Sequence, residues 1–207
     1  MIAWAVVGHE QRLAAVTDLA RTLDAVITLD DGSRGAAANH LKGWAATSSP
    51  SSEWAGVAED DALPVDDFND QAEAALRVAP ADVVSFYLGR TRPRRWQERI
   101  PPAIRAANNA KACWLTTTHL LHGVAVVIRA ELRDDWLDFA HGSHLPIDER
   151  LSAWCLMRGH VVAYTFPSLV DHADGPTLID HTGQPAGPRI AWCTGTRDHW
   201  IEKAVKL

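Results

Sequence analysis

The sequence predicts an α/β fold in which a mainly parallel sheet carries helices on both faces, as a single domain with an irregular C-terminal tail. Three observations lead there. Over the first two-thirds of the chain, short β-rich apolar runs alternate with segments whose apolar residues recur at helical spacing. The runs end in glycine or in carboxylates, which terminate strands in tight turns. The chain has 207 residues, 47% of them hydrophobic and 22% charged, a globular composition at the size of one domain.

In chain order, Ile2–Val7 is the first strand, stopped at Gly8. Glu10 to Leu23 places Leu13, Val16, Leu19, Ala20 and Leu23 on one helical face. Ala25–Leu29 is a second strand, closed by the turn Asp30-Asp31-Gly32-Ser33. Gly35 to Ala46 is helical, with Ala37, Leu41 and Trp44 on one side, and Ser48–Ser52 is a loop. Trp54–Ala58 is a third strand that runs into Glu59-Asp60-Asp61. Asp66 or Asp67 is placed to cap a helix reaching about Val78. Val83–Leu88 is a strand, Gly89 to Pro102 a basic loop, and Pro101-Pro102 opens a helix to about Ala110. Ala112–Thr117 and Val124–Ile128 read as strands. Two helices follow, Glu131 to Ala140 and Asp148 to Arg158, the second ended by Gly159. Val161–Thr165 is a strand, and from Pro167 the chain reads as an irregular tail.

Composition narrows the function. Lys+Arg is 20 and Asp+Glu is 26, a formal net charge of −6, which argues against a dedicated nucleic-acid binder. No apolar run reaches the roughly 20 residues of a membrane span. The start, MIAWAVVGHE, lacks a basic leader segment and reads as a strand, not a signal peptide. Cys113, Cys155 and Cys193 are scattered and odd in number, so free thiols in a cytoplasmic, reducing setting are expected. Nine tryptophans are unusual; the flat indole suits sugar binding, although most are expected in the core.

In parallel sheets, ligands bind at the carboxyl ends of strands. That rule selects Gly8-His9, Asp30-Asp31, Glu59-Asp60-Asp61 and Gly89-Arg90 before any motif is considered. Three adjacent carboxylates repel one another, and a divalent cation relieves that cost while leaving positions open for phosphate oxygens. A solvated acidic loop is the plainer reading of the same residues.

Val57-Ala58-Glu59-Asp60-Asp61-Ala62-Leu63-Pro64 resembles the acidic D-x-D metal motif of GT-A-fold glycosyltransferases, in the variant of lipooligosaccharide-type and phage-encoded enzymes. Glu59 and Asp61 fill its outer positions, with Glu in place of the first Asp. Leu29–Ser33 and Ala38–Gly43 resemble that family's nucleotide-binding turn and following helix. Pro146–Leu151 resembles the acidic helix start beside the acceptor, and Pro167–His172 a strand end that places a histidine near the metal. The resemblance spans residues 2 to 172 and implies a GT-A-like domain, with a nucleotide half over 1–88 and an acceptor half over 89–207. It implies Mn²⁺ or Mg²⁺ on Glu59, Asp61 and His172. A nucleotide sugar, most readily a UDP-sugar, would lie against Gly8, His9, Asp30, Asp31, Asn39, Lys42 and Asp60. The acceptor would be a glycan or protein, with Asp148 as the base that takes the proton of its hydroxyl.

Other features are less specific. His119-x-x-His122 and His141-x-x-His144 have metal-like spacing, but neither lies near a cysteine or in a clear helix. They read as solvent or acceptor-groove histidines. Arg90–Trp96 is basic with an aromatic, a loop that touches diphosphate or acceptor, or else a solvated basic face. Two rivals stand beside glycosyl transfer. One is a nucleotidyltransferase or metal-dependent hydrolase, which would carry a second acidic pair or a Gly/Lys-rich loop. The other is a non-enzymatic carbohydrate-binding protein on the same fold.

Overall fold

A computed structural model describes residues 1–173 and 187–207, so part of the tail, residues 174–186, lies outside the described residues. The chain builds β1 (Ile2–His9), α1 (Leu13–Leu23), β2 (Val26–Asp30), α2 (Ala36–Ala46) and β3 (Trp54–Glu59). It continues with β4 (Ala62–Pro64), α3 (Phe68–Leu76), β5 (Val83–Ser85), α4 (Ile100–Ala110), β6 (Trp114–Thr117) and β7 (Ala125–Arg129). Then come α5 (Arg133–His141), α6 (Ile147–Arg158), β8 (Val162–Thr165), β9 (Val170–His172) and β10 (Ala204–Lys206). Eight strands form one sheet in the order β10-β6-β8-β5-β7-β3-β1-β2, and β4 pairs with β9 in a separate ribbon.

The sheet is mostly parallel, Rossmann-like and flanked by helices, the arrangement of a GT-A-like domain. β1, β2, β3, β5 and β8 run one way, and β6, β7 and β10 run against them. Strand period divides the core. Trp4 and Val6 of β1 pack with Val16 and Leu19 of α1 and Ala72 of α3. Ala5 and Val7 pack on the other face with Trp44 of α2, Ile100 of α4, Trp136 of α5 and Trp154 of α6.

The reversed strand β7 has a traceable cause. The stretch from Thr118 to Val124 buries Leu120 and Leu121, while Leu121 donates its N–H to Tyr164 Oη of β8 at 2.8 Å. Ser152 of α6 accepts from the Leu120 N–H and donates to the Leu120 carbonyl, both at 2.9 Å. The loop therefore delivers β7 beside the carboxyl end of β3, where the Glu59 N–H donates to the Val124 carbonyl at 2.8 Å.

Three expectations need correction. Asp67 precedes α3 in a left-handed conformation, and its side chain makes no capping hydrogen bond. The first helix starts at Leu13 after a 3-10 turn over Glu10–Arg12, and Leu13 is exposed. The tail is irregular in part only, since it supplies β9 and the edge strand β10. Eight of the nine tryptophans are buried, leaving Trp192 half-buried. The three cysteines are free, two of them buried. Among the described residues no helix is long and apolar enough to cross a membrane.

Candidate functional site

Chain order steps from β1 outward to β2 and then back past β1 to β3, so the loops after β1 and β3 lie side by side. Open α/β sheets bind ligands at such a switch point. Close packing forms it. A Cβ on Gly8 would collide with Val16 and come within 2.8 Å of Asp60. A Cβ on Gly123 would come within 2.9 Å of Glu59 Oε1. Both positions bring backbone against a neighbour with no room for a side chain.

Glu59 turns toward a histidine of α2, while Asp60 and Asp61 share Arg12. His40 of α2 places Nε2 3.2 Å from Glu59 Oε1. Asp60 Oδ1 accepts from Arg12 Nη1 at 2.8 Å, and its Oδ2 accepts from the His9 N–H at 3.1 Å. Asp60 thus ties the two loops together. Asp61 Oδ2 lies 3.2 Å from Arg12 Nη1 and 3.3 Å from His172 Nε2. His172 sits on β9, which pairs with β4 just beyond the acidic triplet. Tyr87 completes this side, edge-on to His122 at 5.0 Å between ring centres and 6.0 Å from His172.

This environment splits the acids. Burial pushes the Glu59 carboxyl up, but the hydrogen-bonded His40 and the nearby His172 and His122 outweigh it and hold the group below the usual glutamate range. Burial, then the Glu59 charge, raises Asp61. Asp148 is raised in the same way, by burial and the Glu59 charge, although the Glu149 N–H donates to its Oδ1 at 2.9 Å. Burial lowers His122 to about 4, so its imidazole is neutral at physiological pH. Among the described residues, the polar atoms buried without a partner include Asp61 Oδ1, His172 Nδ1 and His122 Nε2. Among the described residues no group of three or more His, Cys, Asp or Glu is already arranged to hold a metal ion.

The sequence-selected residues fall into three groups. Gly8, His9, Glu59, Asp60, Asp61 and His172 converge at the switch point. Asp148 lines a small cavity behind it with His40, Trp44 and Gly123. Asp30 follows the same edge, paired in register with His9, but its Oδ1 accepts from the Gly32 N–H at 3.2 Å while Asp31 Oδ1 accepts from the Ser33 N–H at 2.9 Å. Both side chains shape their own loop. Asn39 is buried, its amide donating to the Gly8 and Thr28 carbonyls at 3.1 Å each, a clamp between β1 and β2. Lys42 is exposed on α2. His40, Tyr87 and Arg12 were not selected from sequence. Only His40 carried a local signal, since it lies in the Ala38–Gly43 stretch.

No known protein family matches the chain, and no curated protein matches it. The chain is similar in fold to A197 from STIV. The two share 12% sequence identity with a TM-score of 0.51, over 86% of each chain. At that identity the similarity concerns the fold alone.

Proposed function

We propose that this protein is a glycosyltransferase that moves a sugar from a nucleotide diphosphate sugar, a UDP-sugar first among donors, to a hydroxyl of a glycan or protein acceptor. The observation that carries the reading is Asp61. Its carboxyl is driven upward by burial and by Glu59, while one of its oxygens is buried without a partner. A divalent cation relieves both costs. Mn²⁺ and Mg²⁺ take one or two carboxylates and complete their shell with substrate phosphates, so a ready-made cage of three side chains is not required. Asp61, with Glu59 and His172 beside it, would hold the ion. The bound ion would offset charge on the departing diphosphate. Gly8, His9 and the Asp30-Asp31 turn form the adjacent wall for the nucleoside, and Asp148 takes the proton of the acceptor hydroxyl.

Calorimetric titration tests this. UDP should bind in the presence of Mn²⁺ and weaken by about tenfold or more when Mn²⁺ is withheld or Asp61→Asn is introduced. Equal UDP binding in all three conditions overturns the metal assignment. One observation favours a second reading, a carbohydrate-binding protein without metal: Arg12, His40 and His172 already partner the triplet. Such a protein would ignore UDP with or without Mn²⁺.

A further inference from the structure

In a chain of net charge −6, five arginines fall within residues 90–99. Among the described residues Arg90, Arg94, Arg95 and Arg99 form no ion pair, and all four are exposed. Two lie over indoles: the Arg90 guanidinium is 5.1 Å from the centre of the Trp192 ring and the Arg99 guanidinium 5.1 Å from that of Trp96. Arg90 Nη2 donates to the Trp192 carbonyl at 2.9 Å, and the rest of each guanidinium edge can donate to a ligand. Gln97 joins the two indoles, its Oε1 accepting from Trp192 Nε1 at 3.2 Å and its Nε2 donating to the Gly89 carbonyl at 3.2 Å. His119 closes the cluster, 5.1 Å from the Trp96 ring. Burial, then the charges of Arg95 and Arg99, hold its imidazole below the ordinary range, so it stands beside the guanidiniums as a neutral ring. Pro101 and Pro102 open the adjacent helix α4 and lack N–H groups, so the arginines supply the donors here.

The cluster abuts the acidic site by two routes. His119 and His122 are three residues apart on the loop pinned by Ser152 and Tyr164. Gly89, bound by Gln97, also hydrogen-bonds His122. That loop leads to Gly123, which lines the same cavity as Asp148.

We propose that Arg90 over Trp192, Arg99 over Trp96, and Arg95 and His119 beside them form a subsite for an anionic acceptor glycan whose chain runs from the basic cluster to Asp148. This rests on the glycosyltransferase reading and names the acceptor class within it. Planar guanidiniums pair with carboxylate, sulfate or phosphate groups along such a chain, and the half-buried Trp192 offers apolar area beside them. The net negative charge elsewhere works against a long nucleic acid and leaves a short charged glycan as the better match.

The probe is a heparin-derived hexasaccharide, titrated calorimetrically against the full-length protein at two salt concentrations. The wild type should bind it, more weakly at higher salt. Arg95→Gln/Arg99→Gln should bind about tenfold more weakly or worse. Arg94→Gln/Arg95→Gln leaves the Trp96 stack intact and should also weaken binding, so a folding defect in the first variant does not decide the matter. The proposal is overturned if the wild type does not bind the hexasaccharide, or if both variants bind it as tightly as the parent. It is equally overturned if neutral maltohexaose binds as well, or if single-stranded DNA of matched charge binds more tightly. UDP with Mn²⁺, titrated on the same variants, reads the donor half separately. Lost glycan binding with intact UDP binding locates the failure in this cluster, whereas absent UDP binding to the wild type locates it in the glycosyltransferase reading.

Discussion

Asp148 lies in the first turn of α6, behind Pro146, whose extended conformation turns the chain into the helix. Its side chain accepts a local hydrogen bond from the Glu149 N–H, and among the described residues it makes no long-range hydrogen bond on which the fold depends. Yet burial and the Glu59 charge raise its carboxyl, and a raised carboxylate is a stronger base. Neighbouring Glu149 is exposed and diverges by about 100° around the helix, so it is not a substitute. Asp148→Asn keeps the size and the local acceptor but removes the base. In an inverting transfer it should lower kcat by about 10²–10⁴-fold and leave UDP binding unchanged, measured by product formation and calorimetry. Near-parental turnover, or a product of retained anomeric configuration, would reduce Asp148 to a helix-start residue.

One carboxylate links helices α5 and α6, alongside the Arg150 bond to the Ala140 carbonyl and the packing of Trp136 on Trp154. Asp135 Oδ2 accepts from Trp154 Nε1 at 2.7 Å and from Arg158 Nε at 2.9 Å, and Asp135 Oδ1 accepts from Arg158 Nη2 at 2.6 Å. Hydrogen bonds from Arg158 and then Trp154 hold Asp135 down at about 2, below its ordinary 3.8. A depressed folded value means that the unfolded chain binds the proton first. The stabilisation is therefore complete above about pH 4 and is lost as pH falls toward about 2. Asp135→Asn should lower the urea midpoint at pH 7, with the gap to the parent closing as pH falls through that window. A gap that stays constant from pH 7 to the acid limit would show that the charge contributes nothing. This contact also marks where sequence reading stops. The helical spacing of Trp136 and the acidic first turn are visible in the chain, but a partner 19 residues away on another helix is not. The same limit applies at the site. Glu59, Asp60 and Asp61 stand out because they follow an apolar run directly. His40 reaches Glu59 from α2 and Tyr87 joins from the segment after β5, and neither contact has a periodic signal in the chain. β4, β9 and β10 have three residues each, as β5 has, but without the longer apolar run around β5 they show no strand signal and exist through distant pairing. The long parallel strands β1 and β3 were legible because both faces are buried and their runs are nearly unbroken.

At the scale of the molecule, the last segment of the chain closes the fold. Ala191 donates its N–H to Asp171 Oδ1 at 2.7 Å, and Trp192 donates its N–H to the Leu88 carbonyl at 2.9 Å, so the tail runs back along the strand ends that frame the site. Arg197 then reaches the Ala112 carbonyl, and β10 adds to the sheet beside β6. Gln71 of α3 clasps this segment. Its Oε1 accepts from Trp200 Nε1 at 2.9 Å and from the Arg197 N–H at 3.1 Å, and its Nε2 donates to the Arg197 carbonyl at 3.1 Å. Trp200 is only 8% exposed and packs on Trp114 with ring centres 5.8 Å apart. Removing that indole leaves a cavity against Trp114 and strips Gln71 of a donor in one step. Trp200→Ala should therefore destabilise the protein by about 3–5 kcal/mol. Trp200→Phe, which refills most of the volume without the N–H, should cost about 1–2 kcal/mol. Urea unfolding measures both. If the two variants lose the same stability, the indole hydrogen bond and not the packing holds the tail. If neither loses any, the tail is not part of the cooperative unit, and the strand ends that carry Asp61 and His172 are framed without it.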